Sequence, residues 1–325
     1  MRIATFNLES LDLPPETAVP LDTRADILRP QLDRLDADIL CLQEVNGQKQ
    51  PGAKGRTLRA LSDLLRGTSY ESYALVSTSG PRGEGVADIH NLVILSRFGI
   101  GGHRELRHQL VPPVNYRTST ATPPAKKDLA IEWDRPILCA EIDLPGERRL
   151  TVINVHLRAP LAVPIEGQKE APFVWKSVGG WAEGYFLAGI KRMGQALELR
   201  LLLEQLMDQD PHALIAVCGD FNAEDHEVPL RIVIGAEEDT GSGRLAARSV
   251  VPLERSLPKD RRFSALHHGR AQLPDHILAS RSLMARFREL EIHNETLEDE
   301  LIAYAKIDRP PDSYHAPLVA AFDLE

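Results

Sequence analysis

Short apolar runs rich in β-branched residues recur along the whole chain, and most carry a polar residue at or near one end. They cover residues 2–8 (RIATFNL), 36–45 (DADILCLQEV), 72–78, 90–96, 136–144, 150–157 (LTVINVHL), 213–221 (ALIAVCGDF), 275–280 (DHILAS) and 315–324. Runs of this length, punctuated by Gly, Pro, Asn and Asp, read as strands. Helical spacing lies between some of them. It covers Thr23 to Leu35, with Thr23 as N-cap and Pro30 as a kink, then Leu58 to Leu65, and most clearly Phe186 to Met207. No short repeat and no long biased linker interrupts the pattern. The 325 residues, 43% of them apolar, therefore read as one strand-rich α/β domain spanning 1–325.

Charge and cysteine usage narrow the classes. With 38 basic and 47 acidic residues the net charge is −9, which disfavours indiscriminate binding to long nucleic acid. Cys41, Cys139 and Cys218 each sit inside an apolar run and read as small buried hydrophobes, with no spacing that suggests zinc. The opening MRIATFNLES has a strand pattern and not that of a signal peptide. No run approaches the ~18 apolar residues of a membrane helix. The expectation is a soluble, cytoplasmic protein without a membrane span.

The polar residues of the runs are the informative ones: Asn7, Glu44, Asn154, His156, Asp220, Asn222, Asp275 and His315. Strand residues two apart share a face, so Asn154 pairs with His156, and Asp220 with Asn222 if the backbone stays extended. Each alone has a structural explanation. Together, carboxylates, amides and histidines at strand ends form the inventory of metal-assisted phosphate chemistry. Hard cations take carboxylate and amide oxygens. Histidine and amide donors hold phosphoryl oxygens as charge develops.

These motifs resemble the endonuclease/exonuclease/phosphatase superfamily, which includes DNase I-like nucleases, abasic-site endonucleases, neutral sphingomyelinases and inositol-polyphosphate 5-phosphatases. ATFNL at 4–8, the glutamate motif QEV ending at 45, NLVILSRFGI at 91–100, NVHL at 154–157, GDFN at 219–222, DHILAS at 275–280 and HAPLVAAF at 315–322 follow in the family's order. The resemblance implies a four-layer α/β/β/α sandwich, two mixed β-sheets packed face to face with helices outside. It implies hydrolysis of a phosphodiester or phosphomonoester by water attack at phosphorus, dependent on Mg²⁺ (or Mn²⁺). Glu44 would be the principal metal ligand, supported by Asn7. Asp220 and Asn222 would position the water or the phosphate, and His156 would bind a phosphoryl oxygen. His315 would act at the transition state, held by Asp275, while the adjacent His276 is expected only to pack.

One motif departs from the family. Its usual Ser-Asp-His reads Ser313-Tyr314-His315, so a phenol stands where a metal-holding aspartate is expected, with Asp312 nearby. This implies weak metal binding without substrate. It also raises an alternative, a catalytically weakened binding module of the same fold. The substrate is left as nucleic acid or a small phosphoester. Two long loops carry the substrate-binding candidates. Arg117, Lys126 and Lys127 at 107–135, with Arg158, would line an anionic groove. Trp175 and Trp181 at 158–183 would cover the cleft or stack on a ring, or else build a small satellite core.

Overall fold

The computed structural model describes residues 1–13, 19–50, 52, 54–80, 83–300 and 311–324. In chain order, the strands of its two large sheets are β1 (Arg2–Leu11), β2 (Ile39–Val45), β3 (Ala74–Ser77), β4 (Asn91–Ser96), β5 (Gly99–Leu106) and β6 (Ile137–Leu144). They continue with β7 (Arg148–His156), β8 (Leu214–Asp220), β9 (Val251–Pro252), β10 (Asp275–Ala279), β11 (Phe287–Ile292) and β12 (Leu318–Phe322). One sheet has the order β11-β12-β1-β2-β4-β3 and the other β9-β10-β8-β7-β6-β5. Both are mixed: β1 runs parallel to β2 and β7 parallel to β8, while the other pairs are antiparallel.

Side-chain alternation explains the layering. Ile3, Ile39 and Cys41 of the first sheet meet Val152, Ala216 and Cys218 of the second in the core between the sheets. Their neighbours Ala4, Phe6 and Leu40 point outward, onto Leu28 and Leu32 of helix α1 (Leu21–Leu35) and Leu61 of α2 (Arg59–Leu65). On the far side, Ile153, Val155 and Val217 lie under Leu199 and Leu202 of α3 (Val178–Gln209) and Val233 of α4 (Val228–Ile234). Strands covered on both faces become near-continuous apolar runs, which is why they stand out in the sequence. The arrangement is the expected four-layer α/β/β/α sandwich. The three cysteines are buried and free. The Cys218 thiol is pushed well above its ordinary range by its hydrogen bond with Cys41 and by burial.

Several boundaries differ from expectation for identifiable reasons. α1 begins at Leu21 behind Pro20, so Thr23 lies inside the helix and is not its cap. α3 begins at Val178, where the Ser177 hydroxyl accepts a hydrogen bond from the Gly180 amide at 2.9 Å; the glycines of its first turns hide its periodicity. β5 and β11 leave no long apolar run because they lie at the edges of their sheets with exposed charged residues, the composition that guards an edge. Neither long loop is structureless. Val114–Tyr116 pairs with Leu129–Ile131, and Lys169–Ala171 with Val174–Trp175. Among the described residues, no helix is long and apolar enough to cross a membrane.

The two sheets are tied together by a polar clamp. Asn154, fully buried on β7, donates from Nδ2 to the carbonyls of Leu42 and Val93, both at 2.9 Å, and accepts from Gln43 Nε2 at 2.7 Å. Leu42 and Val93 face each other across β2 and β4, just before that ladder changes register. Close backbone approach also fixes Gly219, which has φ +143° and pairs with Val155; a Cβ there would lie 2.0 Å from the Val155 carbonyl oxygen. Gly219→Ala is expected to destabilise the fold by roughly 2–3 kcal/mol. Urea denaturation checks this, and an unchanged midpoint would show that β8 can shift to make room.

Candidate active site

Strands β1, β2, β7, β8 and β10 bring their polar residues to one edge of the sandwich. Asp220, the last residue of β8, is the hub. Its Oδ2 accepts from Asn7 Nδ2 at 3.1 Å and lies 3.4 Å from His156 Nε2, while its Oδ1 accepts from the Asn222 amide at 2.8 Å. On β10, Asp275 lies directly opposite Asp220. His315 Nδ1 donates to Asp275 Oδ2 at 2.7 Å, and the Ser264 hydroxyl donates to the same oxygen at 2.7 Å. Asp220, Asp275 and His315 each offer a ligand atom, and these atoms lie within 4.8 Å of one another. On β2, Glu44 Oε1 is 3.8 Å from His156 Nε2. Asn7, Glu44, His156, Asp220, Asp275 and His315 thus form one contiguous cluster. Asn222 joins it through its backbone, because its own Nδ2 donates to the Leu157 carbonyl at 3.1 Å.

Backbone strain concentrates here. Glu9, Ser10, Glu44, His90 and Asn222 all have positive φ, which costs a non-glycine residue of order 1–3 kcal/mol. The register of β1 against β2 shifts between Asn7 and Leu11. That bulge aims the Ser10 amide and hydroxyl at Glu44 Oε2, at 2.9 and 3.1 Å.

The electrostatics divide the carboxylates. Burial and the neighbouring Asp275 charge push Asp220 up to about 7. Burial also opposes ionisation of Glu44, yet His90, His315, Arg135 and the Ser10 hydrogen bond together hold it below the usual carboxylate range. His156 is buried among cations and is held well below the ordinary imidazole range, so it is neutral. Burial disfavours the charged form of His315 as well, but Asp275 and Asp220 outweigh it and keep the imidazolium well above the ordinary range.

Arg135 and His90 belong to the site and carry no motif that marks them. Arg135 Nη2 donates to His90 Nδ1 at 2.7 Å, which leaves the proton on His90 Nε2, 3.9 Å from Glu44 Oε2. His90 also stacks on His156, with centroids 6.0 Å apart. Arg135 Nη1, His156 Nδ1 and Asp275 Oδ1 are buried without a hydrogen-bond partner among the described residues.

The substrate-binding candidates separate. Arg158 reaches the site's rim, where Nη1 pairs with Asp134 at 3.1 Å. Arg117 instead pairs with Asp128 on the exposed hairpin, and among the described residues it makes no hydrogen bond or ion pair with the cluster. Trp175 is packed into the satellite core around Ile165 and Leu187, with Lys169 over its ring. Trp181 is 44% exposed and stacked on Tyr185. Tyr314 is buried, which raises its phenol to about 12, so it supplies no negative charge. Asp312 Oδ1 accepts from Gln31 and from the Ser313 amide.

Fold and site together define a DNase I-like protein. Residues 4–296 match the model of the Endonuclease/Exonuclease/phosphatase family, and the chain belongs to that family. No curated protein sequence matches it. Among solved structures, the mannosyl-6-phosphatase of Bacteroides thetaiotaomicron is similar at a TM-score of 0.59 and 13% identity, with 100% of each chain covered. Truncated TDP2 of Caenorhabditis elegans is similar at 0.57 and 15%, covering 99% of this chain and 97% of that one. A 3′ phosphatase, NExo, from Neisseria, bound to a product DNA hairpin, is similar at 0.54 and 17%, with 100% of each covered. At these identities the likeness is one of fold.

His276 does more than fill space. It is fully buried, its Nε2 donates to the Ala223 carbonyl at 2.8 Å, and its Nδ1 lies 3.6 Å from the equally buried Glu254. Burial disfavours its charge, but Glu254 outweighs this and raises the imidazole above its ordinary range. The pair anchors the turn that carries Asn222. Removing one partner strands a buried charge, so His276→Leu is expected to cost about 3–5 kcal/mol. Chemical denaturation should show a smaller loss for Glu254→Gln; equal or negligible losses in both would mean that the pair is uncharged.

Proposed function

We propose that the protein is a divalent-metal-dependent phosphoesterase that hydrolyses a phosphomonoester or phosphodiester by water attack at phosphorus. The observation that carries this reading is the buried Asp220–Asp275–His315 group beside an ionised Glu44. The donors suit a hard cation such as Mg²⁺ or Mn²⁺: they are carboxylates, and the buried Asp275 Oδ1 lacks a partner among the described residues. Glu44 is the better anchor, because the His315 imidazolium fills the other corner with positive charge. Asn7 and Asp220 stand beside it. A cation held by these residues would supply the positive charge that neutralises the phosphoryl oxygens.

The remaining work falls to the chain's own groups. Asp220 takes the proton of the attacking water, held in place by the amide of Asn222 and by Asn7. The His315 imidazolium, oriented by Asp275, donates to a phosphoryl oxygen as charge grows there. His156 and the unpaired Nη1 of Arg135 supply further donors. The similar solved structures include a 3′ phosphatase bound to a product DNA hairpin and a mannosyl-6-phosphatase, and phosphate esters of either kind suit this chemistry.

Hydrolysis of an aryl phosphate with Mg²⁺, Mn²⁺ or chelator tests the reading; no turnover with either metal would favour a binding module. Asp275→Asn is expected to lower kcat roughly 100-fold. The carboxylate is what holds His315 protonated, so its loss should also move the alkaline limb of the pH profile to lower pH. An unmoved limb would rule out His315 as the group that titrates. Tyr314→Asp adds a charged oxygen and should tighten Mg²⁺ binding by roughly tenfold in calorimetry; no change would mean that position 314 does not face the cation.

A further inference from the structure

A cleft of about 230 Å³ opens beside the catalytic cluster and shares His90 and Arg135 with it. Its lining also includes Ser79, Glu105, Arg107 and Gln109. The volume lies below the ~300–1,000 Å³ of pockets for drug-sized ligands and suits a single ring.

The wall alternates acceptors and donors. Glu105 Oε1 accepts from the Ser79 amide at 2.9 Å and from its hydroxyl at 2.6 Å, which fixes the carboxylate. Its Oε2 accepts no hydrogen bond among the described residues and remains an acceptor for a ligand. Arg107 is oriented by Nη2 donating to the Asp134 carbonyl at 3.2 Å. At the junction with the catalytic cluster stands Arg135, held through Nη2 on His90, with its buried Nη1 unpartnered. Among the described residues, the lining has no aromatic ring apart from the His90 imidazole; its apolar members are Ala87, Ile89 and Pro136.

A nucleobase is held most firmly by stacking on an aromatic face, and among the described lining residues the one ring is an imidazole that already stacks on His156. An acyl chain needs a continuous apolar wall, and here Ala87, Ile89 and Pro136 share the lining with Glu105, Arg107, Asp134 and Arg135. A hydroxyl both donates and accepts, so a ring bearing several of them matches alternating carboxylate, amide and guanidinium groups. We infer that the cleft is a specificity pocket for a hydroxylated ring, making the favoured substrate a monosaccharide phosphate whose phosphate reaches the cluster past Arg135. This rests on the phosphoesterase reading above and adds the class of alcohol that leaves.

The test compares kcat/KM, with Mg²⁺ or Mn²⁺, for a hexose phosphate, an aryl phosphate and a 3′-phosphorylated oligonucleotide. The hexose phosphate is expected to lead both others by at least about tenfold, since hydrogen bonds to charged groups are each worth ~1.5–3 kcal/mol. In Glu105→Gln, and in Ser79→Ala as a second variant, the ratio of hexose phosphate to aryl phosphate should fall by roughly ten- to a hundredfold, mainly through KM. Calorimetry of hexose phosphate on metal-free protein gives an independent readout and should weaken in the same variants, with melting curves confirming that they fold. If the aryl phosphate is hydrolysed but the ratio is flat in wild type or unmoved in the variants, or if the oligonucleotide leads, the pocket inference is overturned and the phosphoesterase stands. If no phosphoester is hydrolysed with either metal, both fall together.

Discussion

Asn154 is the contact on which the rest of the site depends. It sits on one sheet, and its carboxamide is spent on the other: two carbonyls and the Gln43 side chain. A fully buried amide left unpaired costs about 1–3 kcal/mol per lost partner, so this geometry admits little sliding of one sheet over the other. The clamp lies where the β2–β4 ladder shifts, and Glu44 occupies that irregular stretch with a left-handed backbone. A polar group in the middle of the sandwich thus supports the strained conformation that aims a carboxylate at its rim. His156, two residues along β7, meets Glu44 and Asp220 because Asn154 has already set the distance between their sheets.

Gathering carboxylates out of water raises an electrostatic problem, which the site resolves differently for each one. Asp220 faces Asp275 and full burial, and those two effects win over the attraction of His315. Glu44 meets a comparable desolvation, but two histidines, a guanidinium and the Ser10 donors win instead. One fold thereby keeps one acid ionised and another near its midpoint, both beside His156 Nε2, the kind of split that acid–base chemistry at neutral pH uses.

How much of this was legible follows from what leaves a local trace. Strands buried on both faces write themselves as apolar runs, and a polar residue ending such a run is conspicuous; that exposed Asn7, Glu44, His156, Asp220, Asp275 and His315. Arg135 lies outside any strand and looks like one half of a surface pair with its neighbours. His90 opens the apolar run 90–96 but stands outside the motif that begins at Asn91, and its place depends on a left-handed backbone and on a guanidinium 45 residues away. Ser264 and Glu254 hold Asp275 and His276 from segments with no regular pattern. Arg117 and Trp175 misled for the converse reason. Basic and aromatic residues in a long loop look free, but one is paired within its own hairpin and the other is needed to fill the small core that gives those loops their shape.

The first and last strands of the sandwich are neighbours: Arg2 pairs with Ala321, and the terminal amine of Met1 donates to the Phe322 carbonyl. His315 lies three residues before that last strand. Asn7 and Glu44 therefore leave the ribosome well before His315 does. Until β12 emerges and docks, β1 has an open edge and the cluster lacks the group that balances Asp220 and Asp275. The order of these elements thus ties completion of the cluster to completion of the sheet, and a chain synthesised only as far as β11 has neither.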